Sequence, residues 1–129
     1  VHADFVREPP APDQLGVDPR SLGAFDVVMC FSTSKWVHLN AGDEGLRRLF
    51  VRAHACLRPG GRFLLEPQPW PSYRKRAGLT PTIKRNYEQI RIRPHTFCTY
   101  LTSEAVGFAS AESVEVPYAE GAAQNFKRR

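Results

Sequence analysis

The chain has 129 residues, 42% of them hydrophobic and 24% charged, with a formal net charge of +5. That is the length of one domain or less and an ordinary globular composition, with no run of the ~18 apolar residues a membrane helix needs. Cys30, Cys56 and Cys98 are odd in number and lack C-x-x-C spacing, and His2, His54 and His95 are scattered, which argues for reduced thiols and against a disulfide framework or a metal site.

In chain order, Val1 to Val6 reads as the tail of a strand ending in Asp4-Phe5. Residues 8–24, rich in Pro, Asp and Gly, read as a surface loop with at most one helical turn near Asp13. Residues 25–31 are a continuous apolar run broken only by Asp26, the pattern of a strand covered on both faces, as in a parallel sheet. A polar-aromatic loop, Ser34-Lys35-Trp36-Val37-His38-Leu39-Asn40, follows it. The spacing of Leu46, Leu49, Phe50, Ala53 and Leu57 predicts a helix over 43–57, with Asp43 and Glu44 at its positive end and Pro59-Gly60 stopping it.

A strand is expected over 62–66, introduced by the Pro59-Gly60-Gly61 turn and followed by Glu66-Pro67-Gln68-Pro69-Trp70. Thr80-Pro81 is a helix start, with a capping hydroxyl and a proline where its missing N–H is harmless; Ile83, Tyr87 and Ile90 supply the apolar face. Phe97 and Leu101 predict a short helix after Pro94, and residues 113–116 alternate like a strand. Val1 is not an initiator methionine, and residues 125–129 show no evident closing element, so a partial domain is expected.

Both unusual loops fall at the carboxyl ends of their strands, where open α/β sheets bind ligands. Lys35, Trp36 and His38 combine a cation, an indole and an imidazole, serving either as a phosphate and base site or as loop anchors. In the second loop two prolines hold Glu66, Gln68 and Trp70 in fixed directions, as a preorganised site requires. Charge is also unevenly placed. Residues 73–93 carry Arg74, Lys75, Arg76, Lys84, Arg85, Arg91 and Arg93 against Glu88 alone. Such a stripe is the footprint of a nucleic-acid or phosphate partner, or else a solvated helix face. No Gly-x-Ser-x-Gly elbow or phosphate-binding P-loop is present, so acyl transfer and nucleotide hydrolysis have no support.

Together, Phe25-Asp26-Val27-Val28, Lys35-Trp36-Val37-His38-Leu39-Asn40, Gly42-Asp43-Glu44-Gly45-Leu46, Leu57-Arg58-Pro59-Gly60-Gly61, Leu65-Glu66-Pro67-Gln68-Pro69-Trp70, Ser72-Tyr73, Tyr100-Leu101-Thr102-Ser103 and Val106-Gly107-Phe108 resemble the bicoid-interacting-protein family of RNA methyltransferases. Within that family the resemblance is closest to the branch that caps small nuclear RNA with a methylphosphate. It implies an α/β fold: the C-terminal half of a Rossmann-like S-adenosylmethionine-dependent methyltransferase with a mostly parallel sheet. Residues 1–129 would form a partial domain that begins at the end of the third strand, its first strand and glycine-rich cofactor loop lying upstream.

The implied reaction is methyl transfer from S-adenosylmethionine to the 5′-terminal (gamma) phosphate of a small non-coding RNA, in the nucleus and with no membrane partner. By resemblance, Asp4, Phe5, Cys30, Phe31 and Ser32 flank the cofactor. Lys35, Trp36, Gln68 and Trp70 surround the transferred group. Lys35, Tyr73, Arg74, Lys75, Arg76 and Arg93 face the RNA and its phosphate. A 5′-monophosphate substrate, and a non-catalytic RNA-binding remnant of the same fold, stand as the alternatives.

Overall fold

A computed structural model describes residues 18–114 and 123–128. Asp4, Phe5 and residues 115–116 of the last expected strand lie outside them. After a 3-10 turn at Pro19–Ser21, capped by the Asp18 carboxylate, the elements are β1 (Phe25–Phe31), α1 (Ser34–Cys56), β2 (Leu57–Glu66), α2 (Trp70–Arg74) and α3 (Pro81–Gln89). A second 3-10 turn at Pro94–Thr96 leads into α4 (Phe97–Leu101), and β3 (Phe108–Val114) and β4 (Ala123–Arg128) complete the order.

The strands form one sheet in the order β1-β2-β4-β3. β1 and β2 pair in parallel, whereas β2–β4 and β3–β4 are antiparallel. The mostly parallel sheet expected from the sequence is therefore not found among the described residues. A parallel pair needs a crossover, and α1 supplies one between β1 and β2. β4 instead inserts between β2 and β3 with reversed direction. The sequence reading missed this strand, in which Phe126 is the one large apolar side chain.

The core lies between the sheet and the helices. Cys30, Phe63, Leu65, Phe108 and Phe126 project from the strands onto Leu46, Phe50 and Ala53 of α1 and Phe97 and Leu101 of α4. Phe63 is central, stacking on Phe108 at 5.8 Å and meeting Phe50 edge-on at 6.0 Å. β1 departs from expectation: Phe25, Val27, Met29 and Phe31 are 45–64% exposed. A strand alternates its side chains, so Val28 and Cys30 turn inward while their odd-numbered neighbours share the opposite face.

Helix α1 also begins earlier than predicted, at Ser34, so the expected loop 34–40 is helical. It is broken at Gly42, whose φ of +70° and ψ of −169° suit glycine. Two helical segments thus abut, and the predicted helix over 43–57 corresponds to the second. Its C-terminal end is closed by Arg128 of β4, whose Nη1 donates to the carbonyls of His54, Ala55 and Leu57. The predicted Pro-Gly-Gly turn lies inside β2 as an irregularity: partners run Phe25↔Leu57, then Val27↔Arg62. Gly61 is required there, because a Cβ would stand 2.8 Å from the Arg58 carbonyl oxygen. The Thr80 hydroxyl accepts from the Ile83 N–H at 3.1 Å, the predicted cap of α3.

Candidate functional site

The carboxyl ends of β1 and β2 lie side by side, with Phe31 paired to Glu66. Immediately beyond β1, Ser32 adopts a positive φ of +52°, uncommon for a residue with a Cβ. Its hydroxyl donates to Glu66 Oε1 at 2.5 Å, joining the two strand ends. Strained backbone of this kind persists where surrounding contacts hold it and clusters at functional sites. Of the cofactor-flanking set, Phe31 and Ser32 are exposed, whereas Cys30 points into the core. Burial pushes its thiol up to about 11, against a smaller pull from the Ser34 N–H, so it stays protonated near neutrality. A cavity of about 290 Å³, lined by Val28, Met29, Cys30, Phe31, Leu49 and Phe63 among others, opens along this inner side of β1.

The second loop closes on the first turn of α1. Gln68 Oε1 accepts from the Lys35 backbone N–H at 3.4 Å, answering one of the amides that a helix start leaves unpaired. That bond leaves the Gln68 NH2 able to donate elsewhere. The Lys35 ammonium lies 5.1 Å from the Trp36 ring centroid, and Trp36 is 38% exposed. Lys35, with Trp36 beside it, is therefore brought next to Gln68. Two residues beyond Gln68, Trp70 opens α2; it stacks on Tyr87 of α3 at 5.0 Å, and the Arg93 guanidinium sits 4.6 Å from its ring centre. Arg93 and Trp70, distant in sequence, are thus in cation–π contact.

Tyr73, assigned by resemblance to the RNA side, has no exposed surface. Its hydroxyl lies 3.0 Å from His38 Nδ1, and His38 Nε2 lies 2.7 Å from Asp43 Oδ1. His38 is fully buried as well. Burial pushes its ring below the ordinary histidine range, outweighing the upward pull of Asp43, so the ring is neutral at pH 7. A neutral ring facing a carboxylate places its proton on Nε2; Nδ1 then accepts from the Tyr73 hydroxyl. Asp43 in turn accepts from the backbone N–H of Arg91 at 2.8 Å and of Ile92 at 3.4 Å. The sequence reading treated His38 as a loop residue and Asp43 as a helix-end charge. Their separation of five residues suggests no pairing until the Gly42 break turns one toward the other.

The seven bases between Arg74 and Arg93 are all exposed, and none takes part in the ion pairs found among the described residues. Also among these residues, no group of three His, Cys, Asp or Glu side chains is arranged to hold a metal ion, and no helix is long and apolar enough to cross a membrane.

Several known proteins are similar to this chain. The 7SK snRNA methylphosphate capping enzyme of Mus musculus is 59% identical over 93 residues, which is 72% of this chain and 14% of that protein. The U6 snRNA methylphosphate capping enzyme Amus of Drosophila melanogaster is 44% identical over 104 residues, covering 81% of this chain and 34% of its own. An RNA 5′-monophosphate methyltransferase of Rattus norvegicus is 42% identical over 53 residues, 41% of this chain and 18% of its own. The chain thus spans about a seventh of the mouse protein and a third of the fly one. Residues 25–129, the strands, helices and both loops together, match the Bicoid-interacting protein 3 family, and the chain belongs to that family.

Proposed function

We propose that this chain is the substrate side of an S-adenosylmethionine-dependent RNA methyltransferase, a partial domain of the methyltransferase fold, acting on the 5′-terminal phosphate of a small non-coding RNA in the nucleus. The observation that carries the reading is the tie between Lys35 in the first turn of α1 and Gln68 in the loop after β2, in a family whose relatives include RNA 5′-phosphate methyltransferases.

The chemistry asks little of the protein in proton transfer. A phosphate oxygen is already anionic, so the barrier falls through alignment and charge placement. Lys35, with the positive end of α1 behind it, would hold the phosphate, and the Gln68 NH2 would fix one of its oxygens. Arg93, held against Trp70, suits a second phosphate contact, because a guanidinium binds phosphate in two-pronged fashion. The half-exposed Trp36 ring offers a stacking surface for an unpaired base at an RNA end.

The cofactor's residues fit in part. Exposed Phe31 offers a ring face, and the Ser32–Glu66 pair offers a hydroxyl and a carboxylate beside it, a donor set suited to a hydroxylated, cationic ligand. When bound, S-adenosylmethionine supplies an electrophilic methyl group on a sulfonium. Asp4 and Phe5 complete this side of the proposal from outside the described residues. The 5′-monophosphate alternative draws on the rat relative. Radiolabelled methyl transfer by the full-length protein to triphosphate- and monophosphate-ended copies of one RNA tests both readings; label in neither RNA would leave the binding remnant in their place.

A further inference from the structure

Tyr73 and His38 are fully buried and Asp43 keeps 26% of its side chain exposed, and each end of this hydrogen-bonded chain carries a group of the proposed RNA side. At one end, Tyr73 lies on α2, three residues after Trp70, and its ring packs 5.1 Å from the Trp70 indole. At the other, Asp43 grips the amides of Arg91 and Ile92, immediately before Arg93. The Arg93 guanidinium then closes the loop by resting on Trp70. Asn86 adds a parallel tie, its amide donating to the Leu39 carbonyl at 2.8 Å.

We infer that His38, Asp43 and Tyr73 are positioning residues that set Arg93 and Trp70 at the RNA 5′ end, an inference that rests on the proposed function. The physical reason is cost. Arg93 is an exposed, flexible cation, and a site that must align a phosphate loses rate when such a group wanders. Fixing the backbone two residues before it, and the ring on which it rests, removes much of that freedom. A buried phenol and a buried neutral imidazole lead in turn to a partly exposed carboxylate, each O–H or N–H along the chain meeting one acceptor. Apolar side chains would fill the same space without fixing the angle between α2 and the segment after α3.

The test is a double-mutant cycle in the full-length protein. Tyr73→Phe keeps the ring and its packing and removes one hydroxyl, so the fold is retained; Arg93→Ala removes the cation. Tyr73→Phe is expected to lower kcat/KM for RNA about 2- to 12-fold, the effect of one neutral hydrogen bond, while leaving cofactor affinity unchanged. In the Arg93→Ala background the same change is expected to cost nearly nothing, because the group it positions is gone. Hydrogen exchange at the Arg91 and Ile92 amides should accelerate in Asp43→Asn, reading the network without reference to turnover. An active wild type in which the two penalties multiply in full would overturn the positioning role alone. A wild type that methylates no 5′-phosphate RNA would overturn the proposed function first, and this inference with it.

Discussion

At the scale of single residues, Lys35 combines a side-chain cation with a backbone amide already tied to Gln68. Replacing it with alanine removes the first and keeps the second. Lys35→Ala in the full-length protein should therefore cut methyl transfer by about 10- to 150-fold, the worth of one charged hydrogen bond acting in the transition state, with cofactor affinity nearly intact. Parallel calorimetry and single-turnover rates check this. Equal loss of cofactor binding would make Lys35 a cofactor or folding residue.

His38 gives a second prediction, read in stability. Its folded pKa is held below the ordinary 6.5, mainly by burial. The unfolded chain therefore binds more protons below that value, and stability falls as pH drops through it. Above pH 6.5 the contribution of His38 is complete and flat. The groups facing His38 are Asp43 and Tyr73, and burial raises the Tyr73 pKa further, so the phenol does not titrate near 6.5. His54, lowered by burial and by Arg128, acts in the same direction. Denaturant midpoints between pH 5 and 8 should rise with pH, and His38→Gln should flatten part of that rise. A midpoint independent of pH would contradict the neutral, buried ring.

At the scale of elements, two glycines separate strain from collision. A Cβ at Gly42 would meet Asn86 no nearer than 3.8 Å, an ordinary contact, so Gly42→Ala is penalised by its positive φ alone. About 1–3 kcal/mol is expected, because with ψ of −169° this conformation is essentially open to glycine alone. Gly61→Ala adds a collision with backbone at 2.8 Å and should cost more. Thermal unfolding of both variants gives the order, and the reverse order would contradict it. The basic stretch that starts at the last residue of α2 is tested by salt. Replacing Arg74, Lys75 and Arg76 together should lower the salt slope of RNA binding by about 0.7 for each phosphate no longer neutralised. An unchanged slope would leave these three as a solvated face.

Local chemistry decided which elements were legible in the sequence. Thr80-Pro81 announces α3 because a cap and a helix-starting proline act within one turn. The first segment of α1 stayed hidden, since Trp36, Val37 and His38 are poor helix formers and the Gly42-Asp43 pair imitates a fresh start. The second loop of the candidate site was legible as polar and aromatic groups on proline-stiffened chain, whereas the first, read as a loop, is the opening of α1. Two parts were not legible: the pairing of Arg93 with Trp70, and the burial of Tyr73. Both are set by how α2 and α3 pack, at sequence separations that no periodicity reports.

At the scale of the whole molecule, the outer face of β1 stands out. Phe25, Val27, Met29 and Phe31 form an exposed apolar strip on β1, an edge strand among the described strands, and exposed Leu22 lies just before it. Contiguous exposed apolar surface and an unpaired strand edge both favour self-association. The 129-residue chain on its own should therefore show a concentration-dependent mass in sedimentation, reduced by Met29→Glu. A monomer at all concentrations would show that the strip is too small or too well solvated to matter.

β4 occupies the middle of the sheet although it is the last of the described strands, and that fixes an order of events on the ribosome. β1, α1 and β2 can assemble as soon as they emerge, since their contacts are local to one another. β3, made next, has no strand partner among the described residues until residues 123–128 follow it, because its sheet bonds there run to β4. Phe126 then fills the core between Phe63 and Phe108 as Arg128 seals the end of α1 across more than 70 residues of chain. Loop-closure entropy is largest for such late, distant contacts. A nascent chain exposed only as far as β3 would carry the β-α-β unit and a strand without its described partner, an opening for chaperones that closes once residues 123–128 emerge.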